Sequence, residues 1–520
     1  MKNVFFTVLF ALVAFQTAAQ RSGAWEIERD WTADDERAYS QFIADLGESG
    51  CNTTTRCINS KANPYRHLNP DSLKSYVKAD CADLPYVLRA YFAYMNKLPF
   101  SWTNKFTHVK GSGDIRYSKY GNKPTSRRVV SPGENVKTIL SEVTWISSGV
   151  FRMPPELDVN GQIFPDFYSP KVSQKSIRPG TIVYDPNGHV AIIYRVEKNG
   201  RIHLMDAHPD NTISRIVYGE KFVRTRPAAG AGFKNWRPVT YNSNHPVAKR
   251  NSDVSDFNLE QYYGTNPSND SWSAGKFVIN GQTLGYYDYV RVALAGGNLR
   301  YDPIEEFEAM LTAVCNDLID RAHAIDTGLE SGIHRKPHPT NLPDNIYGTH
   351  GEWESYSTPS RDARLKTSFV EMRKYLERFV SMADAGSDRL DFAGTGADLK
   401  ATLIKIYDAD ADQCRISYTR SNGATQELSL EEVENRLWKL SFDPYHCIEY
   451  RWGATDAELS SCNDDATKRA WYDAEQRLRN QIDRTYDTKM GFSLAQLRAN
   501  APGSGVDNPP VVNIREFLRD

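Results

Sequence analysis

Apolar and polar positions alternate along this chain with two different periods. Residues 82–96 carry Leu84, Val87, Leu88, Tyr91, Phe92 and Met95 at three-and-four spacing, which predicts a largely buried helix with Pro85 confined to its first turn. From Gly180 to His208 the pattern changes to strand-like runs, TIVYD, HVAIIYRVE and RIHLMDAH, with Asn199-Gly200 between the last two as a hairpin signal. An amphipathic helix is expected between Trp25 and Gly50, another near Glu134 to Trp145, and loops or a hairpin from Pro99 to Pro132. Beyond Asp253 helical patterns dominate: 303–325, 360–383, 397–407, 429–440 and 466–486, interrupted by one hairpin at Asn422-Gly423. Low apolar content with Gly, Pro and Asn from Pro227 to Asp253 marks a domain boundary.

The first twenty residues place Lys2 before an apolar run from Val4 to Phe15 and then Thr17-Ala18-Ala19, the layout of a cleavable secretory signal. The expected division is a signal over 1–19, one domain over 20–245 and a mainly helical accessory domain over 254–520. No later run approaches the roughly 18 to 20 apolar residues of a membrane span. An integral membrane segment is therefore not expected after signal cleavage, and the mature chain reads as exported, to a periplasm or the exterior. Lys plus Arg total 63 against 65 Asp plus Glu, so no basic field draws in nucleic acid.

Export makes the seven cysteines informative, because thiols in an oxidising compartment pair. Cys51 with Cys57 and Cys447 with Cys462 are spaced for local bridges, and Cys315 with Cys414 could form a longer one, although spacing alone leaves connectivity open. Cys81 is then left over. It stands in Lys78-Ala79-Asp80-Cys81-Ala82-Asp83, just before the buried helix, where the helix dipole and unpaired N–H groups would lower a thiol pKa and could hold an oxyanion. Asp80 reads as the N-cap, and a buried inert cysteine is the plain alternative.

A nucleophilic thiol needs a base, and His189, opening a strand after Gly188, is the candidate. With Asn199-Gly200 as a two-residue turn, Ile193 lies opposite Asp206, so His189, Asp206 and His208 share one face while His203 points away. Asp206 is preferred as the third group because a carboxylate orients an imidazole and stabilises its cation. A one-residue slip would favour His203 instead.

Asp80-Cys81 before a helix, Arg178-Pro179-Gly180-Thr181-Ile182-Val183-Tyr184 and Gly188-His189-Val190-Ala191-Ile192 together resemble the cysteine and histidine motifs of NlpC/P60 amidases and endopeptidases, D-C-S-G, P-G-D-L-x-F-F and G-H-V-x-I-Y. The resemblance covers 150 to 200 residues. It implies an α+β chain with a papain-like N-terminal domain followed by the mainly helical domain with its small hairpin. It further implies Cys81 as nucleophile, His189 as base, a third polar residue near Asp206, and a peptide or peptidoglycan-like substrate in a bacterial envelope. Ala82-Asp83 and Thr181 depart from the family pattern, and LMDAHPD is also similar to transglutaminase-like domains. An acyl transferase and a non-catalytic envelope binding or scaffolding protein are the rival expectations.

No cofactor or metal is expected. Asp408, Asp410 and Asp412 begin like a calcium loop, but Gln413, Arg415 and Thr419 break the pattern, leaving a solvated turn. His334, His338 and His350, with Glu352 and Glu354, are chemically able to hold zinc but lack the helical H-E-x-x-H spacing, and read as a polar surface loop.

Overall fold

The computed structural model describes residues 22–520 apart from 76, 210, 243–244, 269–270, 345–350 and 484–487. The expected signal at 1–19, His350 and part of the 466–486 helix lie outside the described residues. The fold is α+β, with one six-stranded sheet and several two-stranded ones. No described helix is long and apolar enough to cross a membrane.

Helix α1 (Ala33–Glu48) starts on a Thr32–Asp35 capping box, and α2 (Leu84–Met95) is buried along its whole length. Both pack on a fully antiparallel sheet made of β1 (Phe167–Tyr168), β2 (Ile182–Asp185), β3 (His189–Val196), β4 (Ile202–Ala207), β5 (Ile213–Val217) and β6 (Gly232–Trp236). Their spatial order is β1-β6-β2-β3-β4-β5. The two-residue period of the strands sorts side chains between two layers. Ile182, Tyr184, Val190, Ile192 and Met205 join the α1–α2 core. Val183, Ala191, Ile193, Leu204 and Phe233 meet Tyr289, Val290 and Leu294 of α3 (Tyr286–Leu294) on the other face.

That second face draws on residues beyond the expected boundary. Residues 254–294, assigned by composition to the helical domain, pack as a layer of the sheet: the Gln261 side chain bonds the Phe233 backbone on both sides, and α3 covers the strands. The separate helical core begins with α4 (Pro303–Ser331), α5 (Pro359–Asp384) and α6 (Gly396–Ala411). Asp302, with Pro303 in the first turn, caps α4, and a Thr395–Asp398 box caps α6. The hairpin at Asn422-Gly423 pairs Arg415–Thr419 with Thr425–Ser429. Asp408 and Asp410 lie on the last turn of α6, not in a turn before that hairpin. Where one helix was expected over 466–486, two short ones occur, Ala466–Ala474 and Gln476–Asn480.

Three disulfides join Cys51–Cys57, Cys315–Cys414 and Cys447–Cys462, and Cys81 is the free cysteine. The long bridge ties α4 to Cys414, just before the Arg415–Thr419 strand that follows α6, within the helical core.

Candidate active site

Cys81 sits in the turn that leads into α2. Asp80 Oδ1 accepts from the backbone N–H groups of Ala82 (2.9 Å) and Asp83 (3.1 Å), and Leu84 N–H closes the turn on the Asp80 carbonyl at 3.0 Å. The N-cap of α2 is Asp83, so Asp80 closes the turn before the helix where it was expected to cap the helix itself. Its carboxylate occupies the Ala82 and Asp83 N–H groups, which are then not open to an oxyanion.

The expected effect on the sulfur is reversed. Burial, then the Asp80 charge, push the Cys81 thiol well above its ordinary range, the Val190 N–H pulls the other way, and the charges of Asp206 and Asp83 add to the rise. The resting group is a neutral thiol, and its S–H reaches the Gly188 carbonyl at 3.8 Å. Asp83 is itself held protonated to a higher pH by burial and by Asp80.

Gly188 ends a tight connection, Asp185-Pro186-Asn187-Gly188, that turns β2 into β3. Its φ of +91° suits glycine, its N–H bonds the Asp185 carbonyl at 3.0 Å, and Ser148 Oγ lies 3.5 Å from where a Cβ would stand. The Asp-Pro-Asn-Gly run is a turn signal in the sequence. It places the sulfur against the peptide groups on both sides of His189, the Gly188 C=O and the Val190 N–H.

The His189 ring turns to Asp206. Its Nε2 lies 2.5 Å from Asp206 Oδ2, a contact that becomes an ion pair only when the ring is protonated and in which the ring nitrogen is poorly aligned for a hydrogen bond. Burial, followed by the Arg364 charge, lowers the His189 pKa, and Asp206 opposes this. The imidazole is therefore neutral at rest, the state a base requires. Asp206 stays ionised despite full burial because His208 and His189 face it and Ser214 Oγ donates to Oδ1 at 2.5 Å. Ser214 Oγ also meets His208 Nε2 at 2.8 Å, so His189, Asp206, Ser214 and His208 form one buried polar chain.

The register that makes this chain differs from the expected one. The β3–β4 connection closes between Glu197 and Arg201, with Gly200 at φ +78°, so its loop has three residues where two were expected. A bulge at Tyr194 adds a second slip, and Ile193 faces Leu204 where Asp206 was expected. Two one-residue slips restore parity. Asp206 therefore keeps the face expected for it, and His208 comes opposite His189, with ring centroids 6.3 Å apart. His203 faces away, 2.6 Å from Glu197.

The structure thus joins His189 to Asp206 and brings the Cys81 sulfur to the His189 main chain. Among the described residues the sulfur has no hydrogen bond to the imidazole. The reading of residues missed the contribution of the helical region. Arg364 on α5 bears on His189, and Asp320 on α4 bears on Asp206 and Ser214, its carboxyl pushed up to about 7 by burial and by Asp206 and Asp317. No motif marks these positions; only the packing of α4 against β5 brings them in. A cavity of about 410 Å³ lined by Trp31, Arg89, Arg127, Asp166, Trp236 and Tyr241 lies apart from these groups.

No family model, curated protein or solved structure matches the chain.

Proposed function

We propose that this chain is an exported thiol-dependent amide hydrolase, with Cys81 as nucleophile, His189 as base and Asp206 as the group that orients and stabilises the imidazolium. The observation that carries the reading is the one cysteine outside the disulfides, lying against the peptide groups of the residue whose imidazole meets a buried carboxylate. The disulfides support export, and the resemblance of the Cys81 and His189 segments to NlpC/P60 enzymes supports a papain-like arrangement and a cell-wall peptide substrate.

The chemistry starts from a neutral pair. A rotation of the Cys81 side chain moves the sulfur from the Gly188 carbonyl toward the ring, and as Sγ bonds the scissile carbonyl carbon, His189 takes its proton. Asp206 balances the imidazolium. His189 then returns that proton to the leaving amine as the C–N bond breaks, leaving a thioester on Cys81. Water attacks the thioester, giving its proton to His189, and the carboxylic acid leaves as the thiol is restored. Apo geometry looser than the reacting geometry is common for such pairs.

The high thiol pKa and the S–H contact with Gly188 favour one rival, a non-catalytic envelope protein that retains the scaffold. The experiment is digestion of cross-linked cell-wall peptides by the wild-type chain and by Cys81→Ala, with products and protein followed by intact mass. The hydrolase reading expects products heavier by one water and a transient acyl adduct on Cys81, both absent in C81A. Transfer to an added amine would identify an acyl transferase, and activity in C81A, or none in wild type, would refute the assignment.

A further inference from the structure

His338 does not lie on a polar surface. Its side chain is fully buried, stacked on Trp471 with ring centroids 4.2 Å apart, and its Nε2 lies 2.6 Å from Asp443 Oδ2. Three segments distant in sequence meet there: the loop after Ile333–Arg335, the loop carrying Asp443 and His446, and Glu475 at the junction of the two short helices. His446 Nε2 is 3.6 Å from Asp443 Oδ2 and 3.7 Å from Glu475 Oε2. One ligand atom each from His338, Asp443 and Glu475 can be chosen within 4.8 Å of one another.

Two observations point to an occupant. First, among the described residues both oxygens of Glu475 and Nε2 of His446 make no close hydrogen bond, although both side chains are 0% exposed and approach each other only to 3.7 Å. Among the described residues the nearest other charged partner of Glu475 is Arg479, at 3.9 Å. Unpartnered buried atoms of this kind are costly. Second, each imidazole is anchored through its other nitrogen to an oxygen, His338 Nδ1 to the Pro339 carbonyl at 2.6 Å and His446 Nδ1 to Asp464 at 3.1 Å. This outer contact fixes the tautomer that presents Nε2 inward, as at histidine metal ligands. Asp464 is in turn held by the Cys447 N–H, beside the Cys447–Cys462 bridge.

We propose that His338 Nε2, His446 Nε2, Asp443 and Glu475 form a closed structural site for a divalent transition ion of the zinc class. Two nitrogens and two carboxylates are a donor set that suits zinc, and full burial leaves no open position for substrate. Neighbouring ligand atoms around tetrahedral zinc stand ~3.3 Å apart, so the two His446 contacts close slightly and the His338–Asp443 contact opens when the ion replaces the proton between them. With neutral imidazoles, Asp443, Asp464 and Glu475 carry three negative charges beside the Arg479 guanidinium, which a divalent cation balances. The site would pin the His338 loop to the disulfide-bridged segment, independently of the chemistry at Cys81.

The test is metal content and thermal stability of the mature chain, purified from zinc-replete cells, gel-filtered and analysed by plasma mass spectrometry. The site predicts about one zinc per chain, a melting temperature lowered by about 5 °C or more by chelator, and recovery with Zn²⁺ alone. Glu475→Gln should lose the metal and the chelator response while keeping the near-ultraviolet circular dichroism of the wild type. A wild-type chain without stoichiometric metal, whose melting responds to neither chelator nor Zn²⁺, would overturn the proposal and leave a cluster filled by protons.

Discussion

Replacing Asp206 by Asn separates a working thiol–imidazole pair from a thiol that titrates alone, because the two cases give opposite signs. The Asp206 carboxylate touches His189 Nε2 at 2.5 Å and is only 2% exposed. With a charge-to-charge separation of ~4 Å and an effective dielectric of ~20, its attraction for an imidazolium is about 4 kcal/mol. That is about three powers of ten in the population of a Cys81 thiolate–His189 imidazolium pair. The assay is the rate of Cys81 alkylation by iodoacetamide near pH 7, read by intact mass, with Cys81→Ala as the blank. If His189 takes the thiol proton, Asp206→Asn should slow labelling by about 100- to 1,000-fold. The same carboxylate also pushes the Cys81 thiol up. If the sulfur ionises without the imidazole, removing Asp206 lowers that barrier and labelling speeds up. Unchanged or faster labelling in D206N refutes the pairing.

Three further outcomes concern stability. Replacing both Cys315 and Cys414 by Ser opens a loop with a separation of 99 residues and should cost about 4–5 kcal/mol, against about 3 kcal/mol for the 15-residue Cys447–Cys462 loop; denaturant midpoints would rank them. Arg321 is fully buried, with its guanidinium on Asp362 at 2.9 and 3.1 Å and on the Ser441 and Arg451 carbonyls, so Arg321→Ala strands a buried carboxylate and should cost about 3–5 kcal/mol in urea unfolding. Asp320 has its folded pKa raised to about 7, so its contribution to stability is complete below the unfolded value near 3.8 and is lost as pH rises through 7. Asp320→Asn, which does not ionise, should therefore gain on wild type by about 3 kcal/mol between pH 4 and pH 7 in denaturant melts.

The sequence carried local structure well where one period or one turn decides it. Helix α2 follows from its apolar spacing, the Asn422-Gly423 hairpin from its turn residues, and the cysteine pairs agree with their spacing. What it did not carry depends on tertiary contact. The Tyr194 bulge has no local signature, and the β3–β4 face survived only because a second slip cancelled it. The Asp80 side chain could cap the turn or leave its N–H groups open, and the structure shows the former. Residues 254–294 follow the Gly-, Pro- and Asn-rich stretch at 227–253, yet Phe277, Tyr289, Val290 and Leu294 complete a layer that only the folded sheet reveals. His338 shares its surroundings with residues more than one hundred positions away, beyond the reach of any short motif.

The most direct test of the account is the nitrogen-15 titration of the His189 ring in the wild-type chain and in Cys81→Ala. A functioning pair predicts that loss of the thiol shifts the His189 titration and removes any second step that the sulfur imposes on it. Superimposable curves in the two proteins would contradict the pairing of Cys81 with His189, and with it the hydrolase reading.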